Sequence, residues 1–230
     1  MNIAIILSGG VGSRMGLDIP KQYVLVKDRP VISYCLDTFL KNNKIDLVVI
    51  GAADVWLSFV QEQVALLGSC KKVVYAKPGE TRQFSIYNAL TVAEANGAGN
   101  GDCVIIHDAA RPLVSSFLID SCLDGCANAD GVMPVVPCKD TVYYSENGVE
   151  IDSLLNRNHL WCGQAPEAFN FSKYLEAHRK ISKEELLKVN GSTELAVKAN
   201  LKCRMIPGDV MNFKITTPED LSNFENIVGK

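Results

Sequence analysis

Residues 1–16 read MNIAIILSGGVGSRMG, and the change of character at residue 8 decides the fold. Ile3 to Leu7 are apolar without interruption. Short runs rich in Ile and Val, with no alternation, are strands buried on both faces. Ser8, Gly9, Gly10 and Gly12 follow at once, then Arg14, and Lys21 a little further on in Pro20-Lys21-Gln22. Glycine lets a backbone turn tightly and lets a ligand approach main-chain N–H groups. Such a loop after a parallel strand forms a nest for phosphate oxygens.

Similar runs recur at 46–52, 72–76, 103–108 and 131–137, and helical patterns fall between them, near 31–42, 55–67, 81–96 and 115–127. Strand–helix alternation predicts an α/β fold: a doubly wound, mostly parallel sheet covered by helices, with ligands at the carboxyl ends of the strands. The rhythm breaks at about 139–160. There Thr141–Tyr144 and Val149–Ile151 flank Ser145-Glu146-Asn147-Gly148, which reads as a hairpin arm projecting from the body. Helices are expected again near 168–180 and 191–199. Lys214 is expected in a strand just before Thr217, which caps a last helix with Pro218 at its first position. With no repeat and no linker, residues 1–230 read as a single domain.

Bulk properties narrow the classes. A chain of 230 residues, 47% hydrophobic and 21% charged, is an ordinary globular composition. Its net charge of -3 gives no general attraction to nucleic acid or to an anionic membrane. Its apolar runs are too short to span a bilayer or to act as a signal peptide, so a cytoplasmic protein is expected. Eight cysteines lie mostly among apolar neighbours, and the Cys122/Cys126 spacing suits one helix face; they read as reduced and structural.

The glycine loop fits neither of two common phosphate motifs. Gly12-Ser13-Arg14 does not supply the P-loop Gly-Lys-Ser/Thr, and counting from Gly10 puts Met15 where a dinucleotide fingerprint needs glycine. The second strand also ends in Gly51-Ala52-Ala53 rather than an acid. A loop wrapping a nucleoside triphosphate, with Arg14 and Lys21 supplying charge, remains. Attack at a triphosphate adds negative charge where two polyanions meet, and preorganised cations with a metal ion are the expected remedy.

At this point the chain resembles a known family. LSGGVGSRMG with PKQY is similar to the opening of the sugar-phosphate nucleotidyltransferases, and more narrowly of the cytidylyltransferases that activate methylerythritol 4-phosphate or ribitol 5-phosphate. Gly79-Glu80-Thr81-Arg82 with Ser85, HDAARP at 107–112, Asp140-Thr141, Asn156-Arg157-Asn158 and NFKITTPEDL at 212–221 extend the likeness along nearly the whole chain. The resemblance implies a Rossmann-like nucleotidyltransferase fold. It implies CTP held by Leu7, Ser8, Gly9, Gly10 and Gly12, with Gly79, Glu80 and Ser85 at the nucleoside. Arg14, Lys21 and Lys214 would be the catalytic cations. Asp108, Ala109 and Arg111 would meet the polyol phosphate, and Asp108 the metal side of a Mg²⁺ ion or another divalent cation. Through the arm, Thr141 and Arg157 would close the acceptor site of a second subunit in a homodimer. His107 reads as structural, since an attacking phosphate has no proton to lose.

Three departures stand out. Glu80 replaces an expected Asp. Gln164-Ala165-Pro166-Glu167 stands where the family has Thr-Pro-Gln. Alignment on Lys214 puts Asn190-Gly191, followed by Ser192-Thr193-Glu194, where a Thr-Asp pair is expected. The Gly9-Gly10 pair favours the ribitol branch over the methylerythritol branch of isoprenoid biosynthesis, giving a CDP-alditol for teichoic acid or capsule. Two competing classes are a nucleotide-sugar glycosyltransferase, disfavoured because the chain has no Asp-x-Asp, and a non-catalytic CTP-binding regulator.

Overall fold

The computed structural model describes residues 1–10 and 19–229. Gly12 and Arg14 lie outside the described residues. In chain order, β1 (Asn2–Leu7) is followed by a small hairpin, β2 (Leu25–Val26) and β3 (Arg29–Pro30), and by α1 (Val31–Lys41). Then β4 (Leu47–Gly51), α2 (Asp54–Leu66), β5 (Lys72–Ala76), α3 (Arg82–Ala95), β6 (Cys103–Asp108), α4 (Ser116–Cys126) and β7 (Gly131–Pro137) alternate as the apolar pattern predicts. After the arm strands β8 (Val142–Tyr144) and β9 (Ser153–Leu155) come β10 (Trp161–Gly163), β11 (Glu167–Asn170), α5 (Phe171–Lys180), α6 (Lys183–Leu186), α7 (Ser192–Lys198), β12 (Cys203–Pro207) and α8 (Pro218–Val228).

The main sheet runs β10-β7-β11-β6-β1-β4-β5, with β12 alongside β7. β1 pairs in parallel with both β4 and β6, and β4 with β5. Residues of β1 explain the two layers of helices. Ile3 and Ile5 pack with Ile86, Leu90 and Tyr174 of α3 and α5. Ala4 and Ile6 pack with Ile32, Leu36 and Ile119 of α1 and α4. Strand residues alternate between faces, so an uninterrupted apolar run feeds two cores at once. Each fully buried isoleucine contributes about 1.5–3 kcal/mol.

The chain leaves β1 to build β4 and β5 on one side, then returns to lay β6 on the other. The order therefore reverses at the β1/β6 boundary, where open α/β sheets hold their ligands. Leu7 and Asp108 are register partners across it.

Three local expectations are corrected. Residues 168–170 open as strand, not helix: β11 inserts antiparallel between β6 and β7, and helix begins only at Phe171, capped by Asn170. In the arm, Val142–Tyr144 pairs with Ser153–Leu155, so Val149–Ile151 lies in the loop. Asn147 Oδ1 accepts from the amides of Val149 and Glu150, folding the chain back on itself there instead of letting it extend. Lys214 sits in irregular chain, tied to the end of β6 by Ile215 N–H donating to the Ala110 carbonyl at 2.8 Å. The cap at Thr217, with Pro218 in the first turn, forms as the sequence predicts, and Asp220 completes a capping box.

Candidate active site

A cleft of about 470 Å³ opens at the carboxyl ends of β1, β4 and β6. Leu7, Gly9 and Gly10 form one wall, Gly79, Glu80, Thr81, Arg82 and Ser85 another, and Asp108, Ala110 and Lys214 the floor beside Lys21 and Gln22. It thus gathers nine of the residues singled out from sequence: Leu7, Gly9, Gly10, Lys21, Gly79, Glu80, Ser85, Asp108 and Lys214.

The glycine wall is held by its neighbours. Gln22, almost fully buried, donates its amide to the carbonyls of Ser8 (2.6 Å) and Gly10 (2.8 Å). Carbonyls engaged this way cannot turn toward an incoming anion. A Cβ on Gly9 would meet Pro78 Cβ at 2.5 Å, while one on Gly10 would meet nothing within 4 Å. Glycine at 9 is therefore demanded by packing on Pro78, and position 10 faces open space. The opposite wall is set by Ser85, whose hydroxyl accepts from Gly79 N–H and donates to the Thr81 carbonyl, both at 2.9 Å. Glu80 reaches Lys183 on α6 at 3.0 Å.

The floor is ionic. Asp108 accepts from Arg82 Nε at 3.0 Å and from Lys214 Nζ at 2.7 Å. Burial alone would raise the Asp108 pKa, but these two cations outweigh it and hold the carboxyl well below the usual range. Arg82 also donates Nη1 to Ser192 Oγ at 2.5 Å and lies 4.0 Å from Glu167 Oε2. Burial would weaken Arg82 as a cation; Asp108 and Glu167 more than compensate. Glu167 is itself raised, because burial outweighs the pull of Arg82 and a hydrogen bond with Ser192. Two of the three departures from the family pattern thus meet here. Ser192, at the first position of α7, supplies a hydroxyl that alignment on Lys214 had seemed to remove, and Glu167 adds an acid.

Other expected site residues have different work. Ser8 is buried, its hydroxyl donating to the Gly51 carbonyl at 2.7 Å. Ala109 is buried in the core; Ala110 lines the cleft in its place. Arg111 does not line the cleft; it donates Nη1 to the Asn212 carbonyl at 2.7 Å, within electrostatic reach of Asp108 and Glu167. His107 is fully buried, Nε2 donates to the Arg111 carbonyl at 2.9 Å, and burial pushes its pKa down to about 4, so it is neutral and structural. Thr141 and Arg157 line a separate cleft of about 400 Å³ in the arm. Within one chain they do not join the main cleft. Asp108 as a metal ligand is corrected in one respect: both its oxygens already hold cations.

Arg82 and Gln22 stand inside the sequence motifs, but their roles here depend on contacts with distant segments. Gly51 joins the lining because it is the register partner of Leu7.

Comparison with known proteins places the chain among relatives of one kind. The family model for IspD, 2-C-methyl-D-erythritol 4-phosphate cytidylyltransferase, matches residues 2–230. A solved structure of Francisella tularensis 2-C-methyl-D-erythritol 4-phosphate cytidylyltransferase is 26% identical with a TM-score of 0.80, covering 97% of this chain and 99% of that one. A 4-diphosphocytidyl-2C-methyl-D-erythritol synthase is 25% identical with a TM-score of 0.82, covering 99% and 98%. The corresponding synthase of Anaerococcus prevotii, at 22% identity, shares the fold with a TM-score of 0.82 over 100% and 96% of the two chains.

Proposed function

We propose, for a chain that belongs to the 2-C-methyl-D-erythritol 4-phosphate cytidylyltransferase family and so is a CTP-dependent nucleotidyltransferase, that its acceptor is 2-C-methyl-D-erythritol 4-phosphate. The observation that carries this reading is the family match over residues 2–230. The sequence cue for ribitol 5-phosphate was the Gly9-Gly10 pair. Contact with Pro78 accounts for Gly9 without reference to any acceptor.

In this reading the triphosphate lies along the amides of Gly9 and Gly10, with Gln22 holding the adjoining carbonyls away. Lys21 and Lys214 neutralise charge at the α-phosphorus, joined by Arg14. Lys214 exchanges Asp108 for phosphate oxygen as CTP enters, which costs little because one anion replaces another. Glu80 accepts from the cytosine amino group, and Ser85 fixes the turn that presents it. The acceptor phosphate attacks in line and pyrophosphate leaves. Arg82, balanced by Asp108 and Glu167, is a fixed positive surface on the acceptor side.

Magnesium fits this donor set as an ion carried by the nucleotide. Among the described residues no group of three or more His, Cys, Asp or Glu could hold a metal, and Mg²⁺ commonly uses one or two carboxylates plus substrate phosphates. Asp108, once released by Lys214, is the carboxylate within reach. Bound there, the ion would neutralise phosphate charge.

We also propose a homodimer built through the arm. Tyr143, Tyr144, Ile151, Leu154 and Trp161 are all exposed in one chain, and an isolated hairpin is marginal in water. Docking on a second copy would cover them and carry Thr141 and Arg157 to the partner's cleft.

The test is pyrophosphate release from CTP with each acceptor in turn, with UTP and ATP run beside it. Turnover with methylerythritol 4-phosphate at least as fast as with ribitol 5-phosphate supports the assignment; ribitol 5-phosphate as the sole substrate overturns it. CTP binding without turnover on either would point to a regulator.

A further inference from the structure

Cys138 and Cys162 flank the arm. Cys138 follows β7 directly, and Cys162 is the middle residue of β10. The two strands pair antiparallel through Trp161↔Pro137 and Cys162↔Val136, and Cys138 N–H donates to the Leu160 carbonyl. That ladder brings the two sulfurs to 3.3 Å, and both are free thiols. Such a distance is sulfur–sulfur contact, and a disulfide needs the pair to close further, to about 2.05 Å. Cys162 is exposed and Cys138 partly so.

We propose that Cys138 and Cys162 form a redox modification site, a dithiol that hydrogen peroxide converts to an intramolecular disulfide. The Cys162 thiolate attacks one peroxide oxygen. The O–O bond breaks, leaving a sulfenic acid on Cys162 and a hydroxide that takes up a proton. The Cys138 sulfur then attacks the sulfenic sulfur, the S–O bond breaks, and water leaves. Two thiols and one peroxide yield one disulfide and two waters. The order follows from exposure, and from the Cys138 S–H being held chiefly by its hydrogen bond to Cys162, which raises its pKa. Thiolate character and access together decide which cysteine oxidises first.

The bond would close the arm into a loop at its root. Arg157 donates to the Lys139 carbonyl at 2.6 Å, one residue beyond Cys138, so the staple would sit directly under the arm cleft. The chemistry does not depend on which acceptor the enzyme uses.

The folded wild-type protein is treated with equimolar hydrogen peroxide, digested without reduction and mapped by mass spectrometry. The expected result is a Cys138–Cys162 cross-linked peptide, lighter by two hydrogens than its reduced parts, restored to two thiols by dithiothreitol. In Cys138→Ser, Cys162 should stop at the sulfenic acid and be trapped by a 1,3-dione probe, as should the other exposed cysteine, Cys70, in both proteins. A wild-type map showing sulfenic or sulfinic acid at Cys162 without the cross-link overturns the proposal. So does a cross-link confined to other cysteines.

Discussion

Lowering the pH from neutrality to about 5 should destabilise this protein through two buried histidines. His107 and His178 are both almost fully inaccessible, and burial pushes their pKa values down to about 4 and about 3. An unfolded histidine titrates near 6.5. Between about 6.5 and those lower values the unfolded chain takes up protons that the native protein refuses, so stability falls as pH falls. At pH 5 each imidazole then costs about 2 kcal/mol, or about 4 kcal/mol together, against a typical domain stability of about 5–15 kcal/mol. Asp108, depressed in the fold, adds its own loss only below about pH 4, and Glu167, raised in the fold, acts in the opposite direction. His178→Phe isolates the effect. Among the described residues neither ring nitrogen of His178 has a hydrogen-bond partner, and the ring lies between Tyr87 and Tyr174 at centroid distances of 5.7 and 4.9 Å. Phenylalanine keeps that packing and cannot titrate. Thermal melts at both pH values should show the variant as stable as wild type at neutrality, and retaining about 2 kcal/mol, or about 4–8 °C in Tm, that wild type loses at pH 5. Equal losses in the two proteins would refute the argument.

Three further outcomes follow from the cleft. Lys214→Met should leave the fold intact and slow pyrophosphate release by roughly 10²–10³-fold, since a cation facing developing phosphate charge is lost; near-wild-type turnover would remove Lys214 from the chemistry. Gln22→Met deletes two buried hydrogen bonds worth about 1 kcal/mol each; KM for CTP should rise while KM for the acceptor stays, and a change confined to Tm would mark the clamp as structural only. Gly9→Ala drives a methyl into Pro78 and should cost about 1–3 kcal/mol of stability with the ratio of turnover on the two candidate acceptors unchanged; a shift in that ratio would restore Gly9 as an acceptor cue.

The parallel half of the sheet was legible because Ile3–Leu7, Leu47–Gly51 and Cys103–Asp108 carry their burial on both faces and need no partner to be recognised. Lys21, Glu80, Asp108 and Lys214 were legible because charged residues at fixed offsets from strand ends have few other reasons to recur in one order. What escaped depended on contacts between distant segments. β11 is four residues long, and its Ala168 and Phe169 suit helix or strand equally until β6 and β7 leave a gap between them. The hold of Asn212 on Arg111 joins segments 101 residues apart and leaves no local sign. Ser192 gives no sign in the sequence, because its contact with Arg82 joins segments 110 residues apart. Ser8 and Ala109 share motifs with true lining residues, but alternation along the chain turns them into the protein.

α8 never borders the cleft, yet it governs one of its charges. Phe224 is fully buried, with its ring edge-on to Tyr34 of α1 at 4.9 Å, and with Val26, Val31 and Ile215 it forms a small cluster of its own. Ile215 is the neighbour of Lys214. The ammonium is therefore moored at a distance: loosening this rear anchor, by trimming the helix or crowding Phe224, would let Lys214 drift from Asp108.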